Sequence, residues 1–116
     1  MTATNSADLK NKKCVPCEAG VASLTKSQVE KYLKLAPQWT ANSDHTMIKR
    51  KFEFKSFYKT MAFVNAVAWI ANQENHHPDL EVSYNFCLVK FTTHAINGLS
   101  DNDFICAAKV DQLVCE

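Results

Sequence analysis

The chain has 116 residues, 47% of them hydrophobic and 22% charged, with a formal net charge of +1 at pH 7. That length fits one domain with its own core, and the near-neutral balance gives no electrostatic ground for nucleic-acid or membrane-surface partners. No apolar run approaches a membrane span, and with two glycines there is neither a Gly-rich phosphate loop nor a dinucleotide fingerprint.

Residues 1–22 are polar, lysine-dotted and without periodicity, and read as a flexible arm ahead of a domain over 23–116. The first thirteen residues lack an apolar h-region and include Asp8, so neither a secretory signal nor a transit peptide is expected and a cytoplasmic location follows. Five cysteines, an odd number, suit reduced thiols better than a disulfide framework. Cys14-Val-Pro-Cys17 has no second ligand pair for zinc. It also lacks the strand and helix of a thioredoxin-like site; an incidental pair of exposed thiols is the first reading, with a weak redox or metal role left open.

Thr25 and Gln28 form a capping box, with Leu24 and Val29 placed as a hydrophobic staple. Val29, Tyr32, Leu33 and Ala36 continue at helical spacing until Pro37. A short strand over 38–41 contains Trp39, and Asn42-Ser43-Asp44 is turn chemistry. Residues 46–54 alternate, with Ile48, Phe52 and Phe54 opposite Lys49, Lys51 and Glu53. Arg50 falls on the apolar face, which suggests a sheet edge or an interface.

Ser56 caps the longest helix, which runs to about Glu74. Phe57, Met61, Val64, Ala68 and Ala71 form its predicted stripe, widened by Phe63, Val67 and Ile70, and Trp69 is assigned to core packing. Lys59 is its only charge up to Gln73, so the helix is expected to be covered on more than one side and to meet another chain. Leu80, Val82 and Tyr84 alternate, the parity flips at Asn85-Phe86, and Cys87, Val89 and Phe91 take over, which predicts a hairpin. Asn97-Gly98 is a loop signal, and Ser100 with Asp103 forms a second capping box ahead of a helix carrying Phe104, Ala107, Ala108 and Val114. The order α-β-β-α-β-β-α predicts an α+β two-layer sandwich.

His76, His77 and His94 are three of the four histidines. The first two stand at a helix exit before Pro78, the third at a strand end, and packing of that helix on the sheet would bring both to one rim. Imidazoles gathered there can pass protons without a metal. A three-histidine zinc site is the rival reading, weakened by the absence of HExxH or His-x-His spacing.

The run His76-His77-Pro78, then Tyr84, then His94 and Asp103, resembles the pterin-4a-carbinolamine dehydratases, and the likeness covers most of residues 24–114, Trp39 included. The resemblance implies a four-stranded antiparallel sheet backed by helices and a homodimer or homotetramer. It implies a 4a-hydroxytetrahydropterin substrate, left by aromatic amino acid hydroxylases, which loses water to give quinonoid dihydropterin with no metal or cofactor. His76, His77 and His94 are then the catalytic candidates, the division of acid and base among them left open. Asn75, Pro78, Thr92, Thr93 and Asp103 are the substrate-binding candidates; Asp103 is also placed to orient an imidazole, and helix capping accounts for it equally well. The family's glutamate four residues before the first histidine is Asn72 here. Related animal proteins imply a second class of function, a dimerisation cofactor for a homeodomain transcription factor. A weakly catalytic pterin-binding regulator is a third, and an aromatic amino acid hydroxylase is a further candidate partner.

Overall fold

The structure, a computed structural model, describes residues 6–15 and 22–114. Its elements in chain order are α1 (Ser6–Lys10), α2 (Lys26–Leu35), β1 (Thr40–Ala41), β2 (Ile48–Glu53), α3 (Phe57–Glu74), β3 (Asp79–Val82), β4 (Phe86–Phe91) and α4 (Asp101–Asp111), with 3-10 turns at His94–Ile96 and Gln112–Val114. The four strands make one antiparallel sheet in the order β1-β2-β4-β3. This is the α+β architecture expected from the two hairpins, each followed by a helix.

Period-two alternation decides which sheet face is covered. Ile48 and Phe52 on β2 and Cys87, Val89 and Phe91 on β4 are buried, and the core they form takes in Val29 and Tyr32 of α2, Phe63 and Val67 of α3, and Phe104 of α4. Lys49, Lys51 and Glu53 face outward and are exposed. Lys51 lies 4.5 Å above the Phe86 ring, so an alkyl stem and an ammonium shield an apolar group on the open side.

Capping chemistry sets the helix starts. Thr25 and Gln28 exchange both bonds of the capping box. Ser56 Oγ accepts the Lys59 N–H at the head of α3, and Thr60 Oγ1 donates to the carbonyls of Ser56 and Tyr84, at 2.9 and 3.0 Å. That second contact ties α3 to the β3–β4 turn and fixes the helix rotation.

The rotation corrects the predicted stripe. Thr60, Phe63, Val67 and Ala71 are the buried residues of α3, while Ala68 is exposed, Phe57 is half-exposed and Trp69 is 65% exposed. Trp69 is therefore not a core residue: spacing alone does not say which arc of an all-round apolar helix meets the sheet. Of the two places suggested for Arg50, the sheet edge does not hold. Strand β2 is interior, not an edge, and the Arg50 guanidinium lies over the Phe52 ring while pairing with Asp111 at the end of α4, 2.7 Å away.

Helix α4 carries eight buried residues, from Asn102 to Ala108 and Val110. Burial on all sides needs cover beyond the sheet and α3, and α1 supplies it through Leu9, which is fully buried. The described part of the segment read as an arm thus packs on the domain, because one apolar residue in a polar stretch finds a site on the last helix. Cys17 lies outside the described residues, so its pairing with Cys14 is not described.

Candidate active site

Helix α3 ends at Glu74, and Asn75 takes up the left-handed region at φ 50°, ψ 42°. Asparagine tolerates that conformation better than most residues. The Asn75 N–H reaches back to the Ala71 and Asn72 carbonyls, and the His76 N–H also returns to Ala71, at 3.1 Å. The chain turns sharply there, and Pro78 keeps it extended. The His76 ring then lies almost parallel to Phe91 at the end of β4, centroids 6.0 Å apart.

The partner of His76 comes from α4. Asp103 is fully buried, with Oδ1 2.6 Å from His76 Nε2. Its Oδ2 accepts the Ser100 N–H at 3.0 Å and the Thr93 hydroxyl at 2.7 Å. Thr93 Oγ1 is also 2.8 Å from Ser100 Oγ. One carboxylate oxygen closes the helix start while the other holds the imidazole, so both readings of Asp103 apply. An acceptor-only carboxylate is served by a proton on Nε2, which leaves Nδ1 as the basic nitrogen of neutral His76.

His94 opens the 3-10 turn that follows Thr93 and is exposed, as is His77. The turn is closed by Asn97, left-handed at φ 51°, and by a bridge in which the Thr93 N–H donates to the Gly98 carbonyl at 2.9 Å. Gly98 is required by contact rather than by φ: a Cβ there would stand 2.6 Å from Ser23 Cβ.

These elements surround a cavity of about 500 Å³, lined by His76, His77 and His94 together with Asn75, Thr92 and Thr93. Of the residues the sequence nominates, Pro78 does not line it and Asp103 lies behind His76, out of reach of solvent. Thr92 directs its hydroxyl to the Thr46 carbonyl at 2.6 Å, tying the rim to the chain ahead of β2. Among the described residues no group of three or more His, Cys, Asp or Glu is arranged to hold a metal ion.

Among the lining residues that were not nominated are Cys14, Val15 and Asn102. Asn102 gives its side chain to Val15, Oδ1 accepting the Val15 N–H at 3.0 Å and Nδ2 donating to the Val15 carbonyl at 2.6 Å. Glu74 also lines the cavity, with Oε1 accepting the Cys14 N–H at 2.8 Å and Oε2 3.3 Å from Lys109 Nζ. Burial pushes the Glu74 carboxyl up, but the Cys14 N–H, the Lys109 ammonium and the charge of Lys13 outweigh it and hold it below its ordinary range. Asn72 is exposed and stands outside the lining, so Glu74 is the carboxylate at this end of α3, and it is engaged with the N-terminal segment. Only Cys14 carried a sequence signal, as half of a CxxC; nothing marked Val15 or Asn102.

A buried Asp–His pair facing a cavity with two further imidazoles defines a class of site suited to proton transfer on a small polar molecule. The profile of the family described as Pterin 4 alpha carbinolamine dehydratase matches residues 22–113, and the chain belongs to that family. Two relatives are provisionally named pterin-4-alpha-carbinolamine dehydratase. One, from Legionella pneumophila (strain Corby), is 56% identical over 112 residues, spanning 96% of this chain and 99% of the relative. The other, from Nitrosomonas eutropha, is 58% identical over 111 residues, spanning 96% and 97%. A crystal structure of a transcriptional coactivator/pterin dehydratase from Brucella melitensis superposes with a TM-score of 0.76 at 29% identity, covering 80% of this chain and 99% of that one.

Proposed function

We propose that the protein eliminates water from a 4a-hydroxytetrahydropterin to give the quinonoid dihydropterin, and so supports pterin recycling after aromatic amino acid hydroxylation. Family membership supplies the substrate class. The observation that carries the mechanism is the Asp103–His76 pair facing the same cavity as His77 and His94. The reaction must protonate the leaving 4a-hydroxyl and take the proton from N5. His76, its Nε2 held by Asp103, is the base at N5 through Nδ1. His77, exposed at the helix exit, is the acid at the hydroxyl, and His94 is a polar contact to the pterin. Asn75, Thr92 and Thr93 complete the polar lining. Acid and base catalysis of this kind contributes about 10²–10⁴-fold, and the proton exchange consumes no cofactor.

The test is a dehydration assay on purified protein. His76→Ala and His77→Ala are each expected to lower kcat by about 10²-fold or more with unchanged circular dichroism, and His94→Ala to raise KM more than it lowers kcat. Full activity in both of the first two variants would overturn the assignment. Prolonged chelation is expected to leave turnover intact; a loss restored by zinc would favour the three-histidine metal reading.

A second reading, a protein-binding module, rests on the exposed aromatics of α3: Tyr58 at 83% and Trp69 at 65%. The Brucella relative carries the word coactivator in its description. Homo-oligomerisation is the simpler use of that surface.

A further inference from the structure

Cys14 Sγ lies 3.4 Å from Cys106 Sγ, across 92 residues of sequence. Cys14 is half-buried and faces the cavity, whereas Cys106 is fully buried in α4. The backbone of Cys14 and Val15 is already held in register beside α4 by Glu74 and Asn102. Behind it, Leu9 anchors the segment in the core. Two sulfurs in contact need to close only to the ~2.05 Å of a covalent bond, and they do so most readily where the backbone is already aligned.

We propose that Cys14 and Cys106 are a redox-active pair whose disulfide latches the N-terminal segment in place as a wall of the cavity. That the wall faces a pterin rests on the function proposed above; the cross-link and the latch do not. The oxidant class is a hydroperoxide entering through the open cavity. The Cys14 sulfur takes one peroxide oxygen and becomes a sulfenic acid, and the other oxygen leaves as an alcohol or water. The Cys106 sulfur then attacks Cys14, its proton and the sulfenic hydroxyl departing together as water. Two thiols and one hydroperoxide thus give one disulfide, one alcohol and one water. A hydrogen bond to Cys14, burial, and the charges around it, those of Glu74 and Asp103 among them, push the Cys106 thiol up, and Cys14, which alone of the two lines the cavity, is the sulfur that a hydroperoxide meets first. The CxxC partner, Cys17, is not needed.

The experiment uses the full chain, fully reduced and then treated with one equivalent of hydrogen peroxide. Free thiols are trapped by alkylation, and the disulfides are mapped on non-reduced peptides. The expected product links the Cys14 peptide to the Cys106 peptide, in Cys17→Ser as in the wild type, and is lost in Cys106→Ser. Amide exchange across residues 9–15 should then slow at least about tenfold, because local opening is covalently blocked. Linkage of Cys14 to Cys17 instead, oxidation of Cys14 to a sulfinic acid with Cys106 unlinked, or a cross-link without slowed exchange would each overturn the latch. For the wall, Asn102→Ala should raise the KM for the pterin, and oxidation should bring it back severalfold toward wild type. No recovery in the cross-linked variant would remove the wall role. Reduced wild-type protein that turns over no pterin would overturn the dehydratase reading alone, because the peptide map and the exchange rates still decide the latch.

Discussion

Asp103 divides its two oxygens between structure and chemistry, and a single-atom change separates them. Asp103→Asn keeps an oxygen able to accept the Ser100 and Thr93 bonds but presents an amide to His76. The expected outcome is a fall in kcat/KM of about tenfold or more, with thermal stability nearly unchanged and a shifted pH–rate profile. Asp103→Ala is expected to lower both, since it also removes the acceptor at the head of α4. Glu74 makes a pH prediction. Its carboxyl is depressed in the folded protein, so its contribution is fully present above its ordinary value of about 4.5 and is lost as pH falls through the lower folded value. Protection of the Cys14 amide from exchange, relative to the intrinsic rate, should therefore be high at neutral pH and fall as pH drops through the depressed Glu74 value. Glu74→Gln should flatten that dependence, and an unchanged profile in the variant would show that Glu74 does not hold the segment.

At the scale of the element, α4 is fastened at both ends: Asp103 at its start, and Asp111 at its end, where it accepts from Trp39 Nε1 at 3.0 Å and from Arg50 at 2.7 Å. Burial pushes the Asp111 carboxyl up in spite of these two donors. Asp111→Ala leaves a partly buried guanidinium and an indole N–H without that acceptor. It should cost about 1–3 kcal/mol, read from urea denaturation with the m-value unchanged. Gly98→Ala should cost a similar amount, about 1–3 kcal/mol, because its Cβ would meet Ser23. It should also raise the KM for the pterin by displacing the turn that presents His94.

These elements show where sequence reading works. The capping signals at Thr25, Ser56 and Ser100 and the parity flip at Asn85-Phe86 are local, and they located the helices and the hairpin well. His76, His77 and His94 were legible as a group because their residue type is scarce and their spacing falls at element ends. The rotation of α3 was not, since it depends on Thr60 meeting the carbonyl of Tyr84, a contact between elements. Arg50 looked misplaced for the same reason: its acceptor is 61 residues away. Val15 and Asn102 were invisible as site residues, and Cys14 was visible only as half of a CxxC, because they meet through the packing of the N-terminal segment on α4, which no local pattern announces.

On the scale of the whole molecule, the sheet is covered on one face and α3 keeps an outward arc with Phe57, Tyr58 and Trp69 exposed. Exposed large apolar side chains along one helix are commonly covered by a second copy. A homodimer or a dimer of dimers is expected by sedimentation equilibrium, and Trp69→Glu should shift it toward monomer while the His76–Asp103 pair keeps most of its activity, with some loss because the histidines follow at the exit of the same helix. A stable monomer at micromolar concentration in the wild type would hand this surface to a different partner.

The dependence of His76 on Asp103 also has a consequence in time. All three histidines and all four strands are synthesised before α4, and the imidazole waits 27 residues for the carboxylate that orients it. A chain made only as far as Gly98 would hold every histidine of the site yet lack its orienting acid and the landing place for Leu9. Competence therefore arrives late in synthesis, and a released chain truncated after Gly98 should carry the three histidines of the site and show little ability to dehydrate a pterin.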